Sequence, residues 1–312
     1  MNRPRVLRIR VPCTTANLGS GFDALGLALG GLAVTVSAVP GGKGLRIESL
    51  SGEGENDLPR DDDNRIVRAA HAALAHAGVD AKTLGASLEI HSDIPLSRGL
   101  GSSAAAAVAG AMLADALLEH KLGPDGVLHV SATLEGHPDN VAPALWGGLV
   151  VSVKSDTGLS LCPVALPIRP RAALFIPDAA LATSAARAVL PKSVSFADAI
   201  FNLSRSALTV AALSQGKLDI LAESMKDRLH QPARSQLLPW LPRLIRAAEE
   251  AGAYGAALSG AGSTVCALVS AEKARTVETA LAKAAREAGV PGRAMVLDVG
   301  PGASVAWTDV RG

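Results

Sequence analysis

The sequence predicts a two-domain α+β chain, and three observations carry that expectation. Leu88-Glu89-Ile90-His91 alternates apolar with polar like a half-buried strand, then runs into a glycine-rich turn. The turn opens residues 104–118, which are rich in the helix formers Ala, Leu and Met. The second half reads strand, helices, strand, strand, helix, strand, the split βαβ order with extra helices. Between the halves, a turn at 154–158 and the proline-rich run 163–170 mark a boundary, giving domains at 1–160 and 161–312.

In chain order, residues 6–11 alternate apolar with Arg8 and Arg10, a strand ending at Pro12. The small-residue loop 14–23 carries Asn17 and Asp23. A long strand over 25–39, broken near Gly30-Gly31, is followed by 44–50, expected to lie beside it. Asp63 or Asn64 caps an Ala-rich helix over 65–77. Residues 124–133 form a second helix and 147–153 a strand. In the second half we expect strands at 172–176, 255–258, 264–269 and 293–299, the last of the chain. Helices are expected at 196–213, 217–229, 241–251 and 271–288.

Composition narrows the function classes. The 312 residues suffice for two cores, and 48% apolar with 19% charged residues describes a globular chain. A net charge of +1 gives no reason to expect nucleic acid as a partner. Cys13, Cys162 and Cys266 are widely spaced and odd in number, which suits reduced thiols in the cytoplasm. Residues 1–5 lack the apolar run of a signal peptide. Residues 99–114, the least charged long stretch, fall short of the roughly 20 needed to span a bilayer, so no membrane is expected.

The glycine turn is the richest stretch. Gly99 and Gly101 permit backbone angles that other residues resist, and Ser102 and Ser103 stand where helix caps belong. A helix start offers unpaired N–H groups and partial positive charge, a seat for phosphate. Such turns also begin helices that hold no ligand. Gly99-Leu100-Gly101-Ser102-Ser103-Ala104 fits a dinucleotide fingerprint, but the acidic residue it requires would be Glu119, with no strand between, so that reading is rejected.

Pro95-Leu96-Ser97-Arg98-Gly99-Leu100-Gly101-Ser102-Ser103-Ala104-Ala105 resembles the phosphate-binding loop of the GHMP kinases. Residues 11–29, 135–148 and 258–268, with 227–234, resemble the homoserine kinase branch, in the right order over nearly the whole chain. The resemblance implies a domain like the second domain of ribosomal protein S5, then a ferredoxin-like domain, with the active site in the cleft between. It implies transfer of the ATP γ-phosphoryl group to the hydroxyl of L-homoserine. A homodimer is compatible with Ala-rich helices that could pack internally or between subunits.

The resemblance also assigns roles. Residues 95–105 bind ATP, and Ser103 resembles a hydroxyl ligand to Mg²⁺ while Ser102 caps the helix. The family's glutamate metal ligand, some eight residues before the histidine, is replaced here by His129; Glu135 is taken in its stead. An amino-acid acceptor needs guanidinium for its carboxylate and carboxylate for its ammonium group. Asp23, with Asn17 beside it, resembles the amino-group side; Arg187 and Arg234 resemble the carboxylate clamp, with His137 and Asn140 as further walls. Asp139, in a Pro-Asp-Asn context with Asn140, is the candidate catalytic base. Each residue has a plainer alternative: an exposed helix arginine, a loop-tying histidine, a helix-end glutamate. Ser20 and Ser263 replace prolines usual in the family, which frees both loops. Competing readings are a kinase of mevalonate, a diphosphocytidyl sugar alcohol or shikimate, and a catalytically silent ligand sensor. These acceptors lack the zwitterion, and a silent sensor would be expected to lose Ser103 or a loop glycine.

Overall fold

The computed structural model describes residues 5–156 and 158–309. Residues 1–4, on which the expectation of no export signal chiefly rests, and Thr157 of the predicted turn lie outside that range.

Strands β1 (Arg5–Ala16) and β2 (Leu25–Pro40) pair antiparallel, with a register shift at Pro12/Cys13. Beyond that shift β1 continues, pairing Cys13 with Leu29 and Ala16 with Gly26, so it does not end at Pro12 as the sequence suggests. The extra length of ladder carries Thr14 and Thr15 into the interior, where both are buried.

Strand β3 (Gly44–Gly52), helix α1 (Arg65–His76) and strand β4 (Gly85–Ser92) follow. The helix carries the chain back across the sheet, so β3 runs parallel to β4. Strand β4 takes the place beside β2 that the sequence reading gave to β3. Asn64 caps α1 as expected, accepting from Ile66 N–H, and Ile66, Ala70, Ala73 and Leu74 form its buried stripe.

Helix α2 (Ser102–Leu117) is the centre of the first domain and is buried on most of its circumference. It packs so closely on α1 that a Cβ on Gly110 would stand 2.1 Å from Ile66 O. Helices α3 (Gly123–Glu135) and α4 (Val141–Trp146) lead to strands β5 (Leu149–Ser155) and β6 (Gly158–Val164). Neither α4 nor β6 was legible in sequence. Among the described residues strand β6 pairs only with β5, so it is an edge, which is where Pro163 is tolerated.

The second domain comprises β7 (Arg171–Pro177), α5 (Thr183–Ala188), α6 (Phe196–Gln215), α7 (Leu221–Ser224) and α8 (Gln231–Arg234). It continues with α9 (Leu241–Glu250), β8 (Gly255–Leu258), β9 (Val265–Val269), α10 (Ala274–Glu287) and β10 (Gly292–Asp298). Its sheet has the order β10-β7-β9-β8, antiparallel throughout, as the split βαβ reading requires. The helix expected over 217–229 stops at Ser224. Downstream, Asp227 accepts from the N–H groups of Leu229, His230 and Gln231 and from Asn202 Nδ2, and this fixes a non-helical turn.

The chain does not end with β10. Strand β11 (Ser304–Asp309) returns to the first sheet beside β1, giving the order β11-β1-β2-β4-β3 with β5 on β2 and β6 on β5.

Candidate active site

The glycine turn lies where the two domains meet. Gly101, at φ 69°, precedes α2 as its cap and makes no side-chain capping bond, so neither serine caps the helix, contrary to the sequence reading. The left-handed glycine already turns the chain sharply, which leaves Ser102 as the first helical residue. Close packing explains both glycines. A Cβ at Gly99 would stand 2.1 Å from Ser259 O, and one at Gly101 would stand 2.0 Å from Thr14 Oγ1. Ser259 Oγ donates to Gly99 O (2.6 Å), Gly260 N to Ala16 O (3.1 Å) and Thr264 N to Arg98 O (3.1 Å). The turn is thus clamped between β1 and the 259–264 turn.

A cleft of about 320 Å³ opens in front of it. Ser97, Gly99, Gly101, Ser102, Ser103 and Ala104 line the cleft, whereas Leu100 and Ala105 are buried in the core. Pro95 is buried behind the loop, and Arg98 is spent on Leu96 O (2.6 Å), Pro177 O and Asp178 O. Arg98 therefore secures the loop to the end of β7.

Ser103 Oγ donates to Glu135 Oε1 at 2.5 Å, across 32 positions of sequence. Arg65, which the sequence reading passed over, also binds Glu135 Oε1 and donates to Leu134 O (3.0 Å). His129 is elsewhere, its ring tilted against that of His76 with centroids 5.1 Å apart. Hydroxyl and carboxylate oxygens are hard donors of the kind Mg²⁺ takes, and Mg²⁺ commonly keeps water and phosphate in its remaining positions. A two-residue site fits that habit, and among the described residues no larger His/Cys/Asp/Glu cluster exists.

Asp139 is buried yet lines the cleft. His137 Nδ1 donates to its Oδ1 at 2.7 Å, and this bond raises the His137 pKa above its ordinary value. Asn140 accepts from Thr14 Oγ1 at 2.7 Å and points Nδ2 at Asp139 Oδ1 (3.4 Å), so it orients the carboxylate.

The facing wall is built from charges. Arg187 forms a fork on Asp23, Nη1 to Oδ2 at 3.0 Å and Nη2 to Oδ1 at 2.8 Å. Asn17 spends both ends of its amide: Oδ1 accepts from Asp23 N (3.0 Å) and Nδ2 donates to Gly260 O (2.8 Å). Arg234 is 1% exposed, with Nε on Ala186 O (3.2 Å) and Nη1 on Gly260 O (2.9 Å) and His230 Nδ1 (3.1 Å), leaving Nη2 for the cleft. Burial pushes its pKa down to about 10, so it stays cationic at neutral pH. His230 Nε2 donates to Gly19 O (2.9 Å), and with Nδ1 accepting from Arg234 the ring is the neutral tautomer. Burial lowers its pKa accordingly. Phe22 stacks on His230 (5.0 Å) and lies under both guanidinium groups, Arg187 at 5.7 Å and Arg234 at 5.4 Å. Phe22 and His230 fall within residues 11–29 and 227–234, but nothing local in the sequence signals their packing.

The two serines in place of prolines are tied by hydrogen bonds. Ser20 Oγ donates to Ser224 O (2.7 Å) and Ser263 Oγ to Ala179 O (2.8 Å), and both are buried, so these loops are anchored rather than freed.

A second cavity, about 230 Å³, adjoins the loop on its other side. Val34, Leu50, Leu58, Ile66, Ile90 and Leu96 make it largely apolar, and Ser97, Ser102, Ser103 and Arg65 line both spaces. Sequence reading did not find it, because its walls come from separate segments of the chain.

Residues 64–148 match the family model for the GHMP kinases N terminal domain, and residues 209–287 that for the GHMP kinases C terminal domain. A homoserine kinase of Thermus thermophilus is 45% identical over 295 residues, 95% of this chain and 97% of that one. A homoserine kinase of Moorella thermoacetica is 44% identical over 262 residues, 83% of this chain and 86% of that one. Among solved structures, a homoserine kinase from Cytophaga hutchinsonii superposes with a TM-score of 0.87 at 30% identity, covering 96% of this chain and 97% of that one.

Proposed function

The chain belongs to the GHMP kinase family, and from that premise we infer that it is a homoserine kinase, transferring the γ-phosphoryl group of ATP to the side-chain hydroxyl of L-homoserine. The observation that carries the reading is one cleft with a phosphate-type helix start on one wall and Asp23, Arg187 and Arg234 on another. The first suits a triphosphate, and the second suits a zwitterion.

ATP lies with its base in the apolar cavity and its phosphates on the N–H groups at the start of α2. Ser103 Oγ and the Glu135 carboxylate would hold Mg²⁺. A cation held there would supply neutralisation of phosphate charge during transfer. The acceptor enters between Asp23 and Arg187. Its ammonium group takes Asp23, and its carboxylate takes Arg187 and Arg234 Nη2, so each member of the existing ion pair keeps an opposite charge. An acceptor with only one of the two charges leaves one member unpaired, which is costly in a partly desolvated site.

Asp139 accepts the hydroxyl proton as the acceptor oxygen bonds to the γ-phosphorus and the bond from that phosphorus to the β–γ bridging oxygen breaks, releasing ADP. His137 and Asn140 hold the Asp139 carboxylate in place. The experiment is ADP release with MgATP and L-homoserine, L-homoserinol, 4-hydroxybutyrate, mevalonate or shikimate. Turnover on L-homoserine, with both singly charged analogues far poorer, is expected. Turnover on mevalonate would overturn the acceptor assignment while keeping the phosphate loop.

A further inference from the structure

We propose that Arg65 is a nucleotide-binding residue that exchanges the Glu135 carboxylate for the phosphate chain of ATP when Glu135 turns to a divalent cation. The inference rests on the kinase reading above and adds a residue to its nucleotide side.

Three observations carry it. First, of the three arginines lining the cleft among the described residues, Arg187 and Arg234 stand on the acceptor wall, and Arg65 alone stands at the nucleotide wall. The loop's own Arg98 is committed to backbone carbonyls behind it. Second, Arg65 lines both the phosphate cleft and the apolar cavity, so it stands where a nucleotide passes from base to phosphates. Third, its guanidinium is incompletely used. Nη2 serves Leu134 O and Glu135 Oε1, while Nε is buried with no hydrogen-bond partner among the described residues. A buried donor left unpaired is costly, and a phosphate oxygen would satisfy it.

The local structure supports an exchange. Arg65 is the first residue of α1, whose start is fixed by the Asn64 cap, so its backbone is held while its long side chain can re-aim. Both Ser103 and Arg65 donate to the same Glu135 oxygen. A cation drawing that oxygen competes with Arg65 directly, and frees the guanidinium beside a phosphate chain whose charge it matches.

The test is calorimetric binding of nucleotides. In the otherwise wild-type protein, Arg65→Leu is expected to weaken MgATP binding about 10-fold, or about 1.4 kcal/mol. The loss of ATP affinity in EDTA is expected to be smaller, since Glu135 then keeps its partner, and adenosine affinity is expected to be unchanged. In a Glu135→Gln background without metal, Arg65→Leu is expected to weaken ATP binding again, with Arg65→Lys retaining most of the affinity. Equal ATP affinity of Glu135→Gln and Glu135→Gln/Arg65→Leu would show that Arg65 only braces Glu135 and overturn the proposal. Equal losses with Mg²⁺ and with EDTA would overturn the exchange. Absence of ATP binding by the wild-type protein would instead sink the kinase reading.

Discussion

Asp139 and its neighbours show how much at this site turns on single side chains. Substituting Asn for Asp139 keeps the shape and removes the proton acceptor. If Asp139 is the base, kcat falls by about 10²–10⁴-fold with the homoserine KM little changed. A loss below about 10-fold would mean that positioning alone drives transfer. The pKa values of His137 and His230 are shifted in opposite directions. His137, bonded to Asp139, has its midpoint above 6.5, and buried His230 has its midpoint below 6.5. His137 therefore adds stability that is fully present below about pH 6.5 and is lost as pH rises through its raised folded midpoint. His230 has the opposite sign: stability is lost as pH falls below 6.5, where the unfolded ring takes up a proton that the folded ring resists. Titration of the two ring resonances by NMR checks both, and coincident midpoints would contradict the assigned environments. At this scale the sequence showed residue types and their positions in the motifs. It did not show that Asn17 and Asn140 are tied at both ends of their amides, nor that Arg65 reaches Glu135 across 70 positions. Those pairings join distant segments and leave no local pattern.

The glycine turn runs into helix α2, whose packing limits what the helix tolerates. Replacing glycine by alanine inside a helix ordinarily stabilises by about 1 kcal/mol. At Gly110 the sign reverses, because the new methyl group would meet Ile66 O at 2.1 Å and Ala69 Cβ at 2.8 Å. Gly110→Ala should lower stability by about 1–3 kcal/mol through overpacking, read as a fall in Tm. A rise in Tm would show that α1 and α2 separate at no cost. The strong periodic helices, α1, α6 and α9, were legible from sequence to within a few residues. Helix α7 was read too long, since helix-forming residues continue to Leu229 while Asp227 withdraws the backbone N–H groups into its own turn.

On the scale of the whole molecule, the two sheets are joined by the return of β11 to β1 and by the clamp around the glycine turn. Strand β11 covers an edge of β1 that would otherwise present unpaired backbone groups. Truncation after Ala303 should therefore lower Tm and cause association at concentrations where the full chain stays dispersed. Light scattering and thermal melts check this, and an unchanged melt would make β11 dispensable. The buried thiols Cys13 and Cys266 have pKa values pushed up to about 12 by desolvation, so the exposed Cys162 is the expected target of thiol reagents.

By itself the sequence determined the α+β class, the strand–turn–helix around Gly99, the split βαβ order of the second half and the motif positions of the site residues. These depend on local periodicity, glycine placement and residue type, which are written along the chain. Only the tertiary structure decided that β3 lies beside β4, that the chain returns as β11, and that Gly101 rather than a serine caps α2. It also decided which arginine each carboxylate meets. Those outcomes follow from which surfaces come together when the sheets close, and no window of neighbouring residues contains that information.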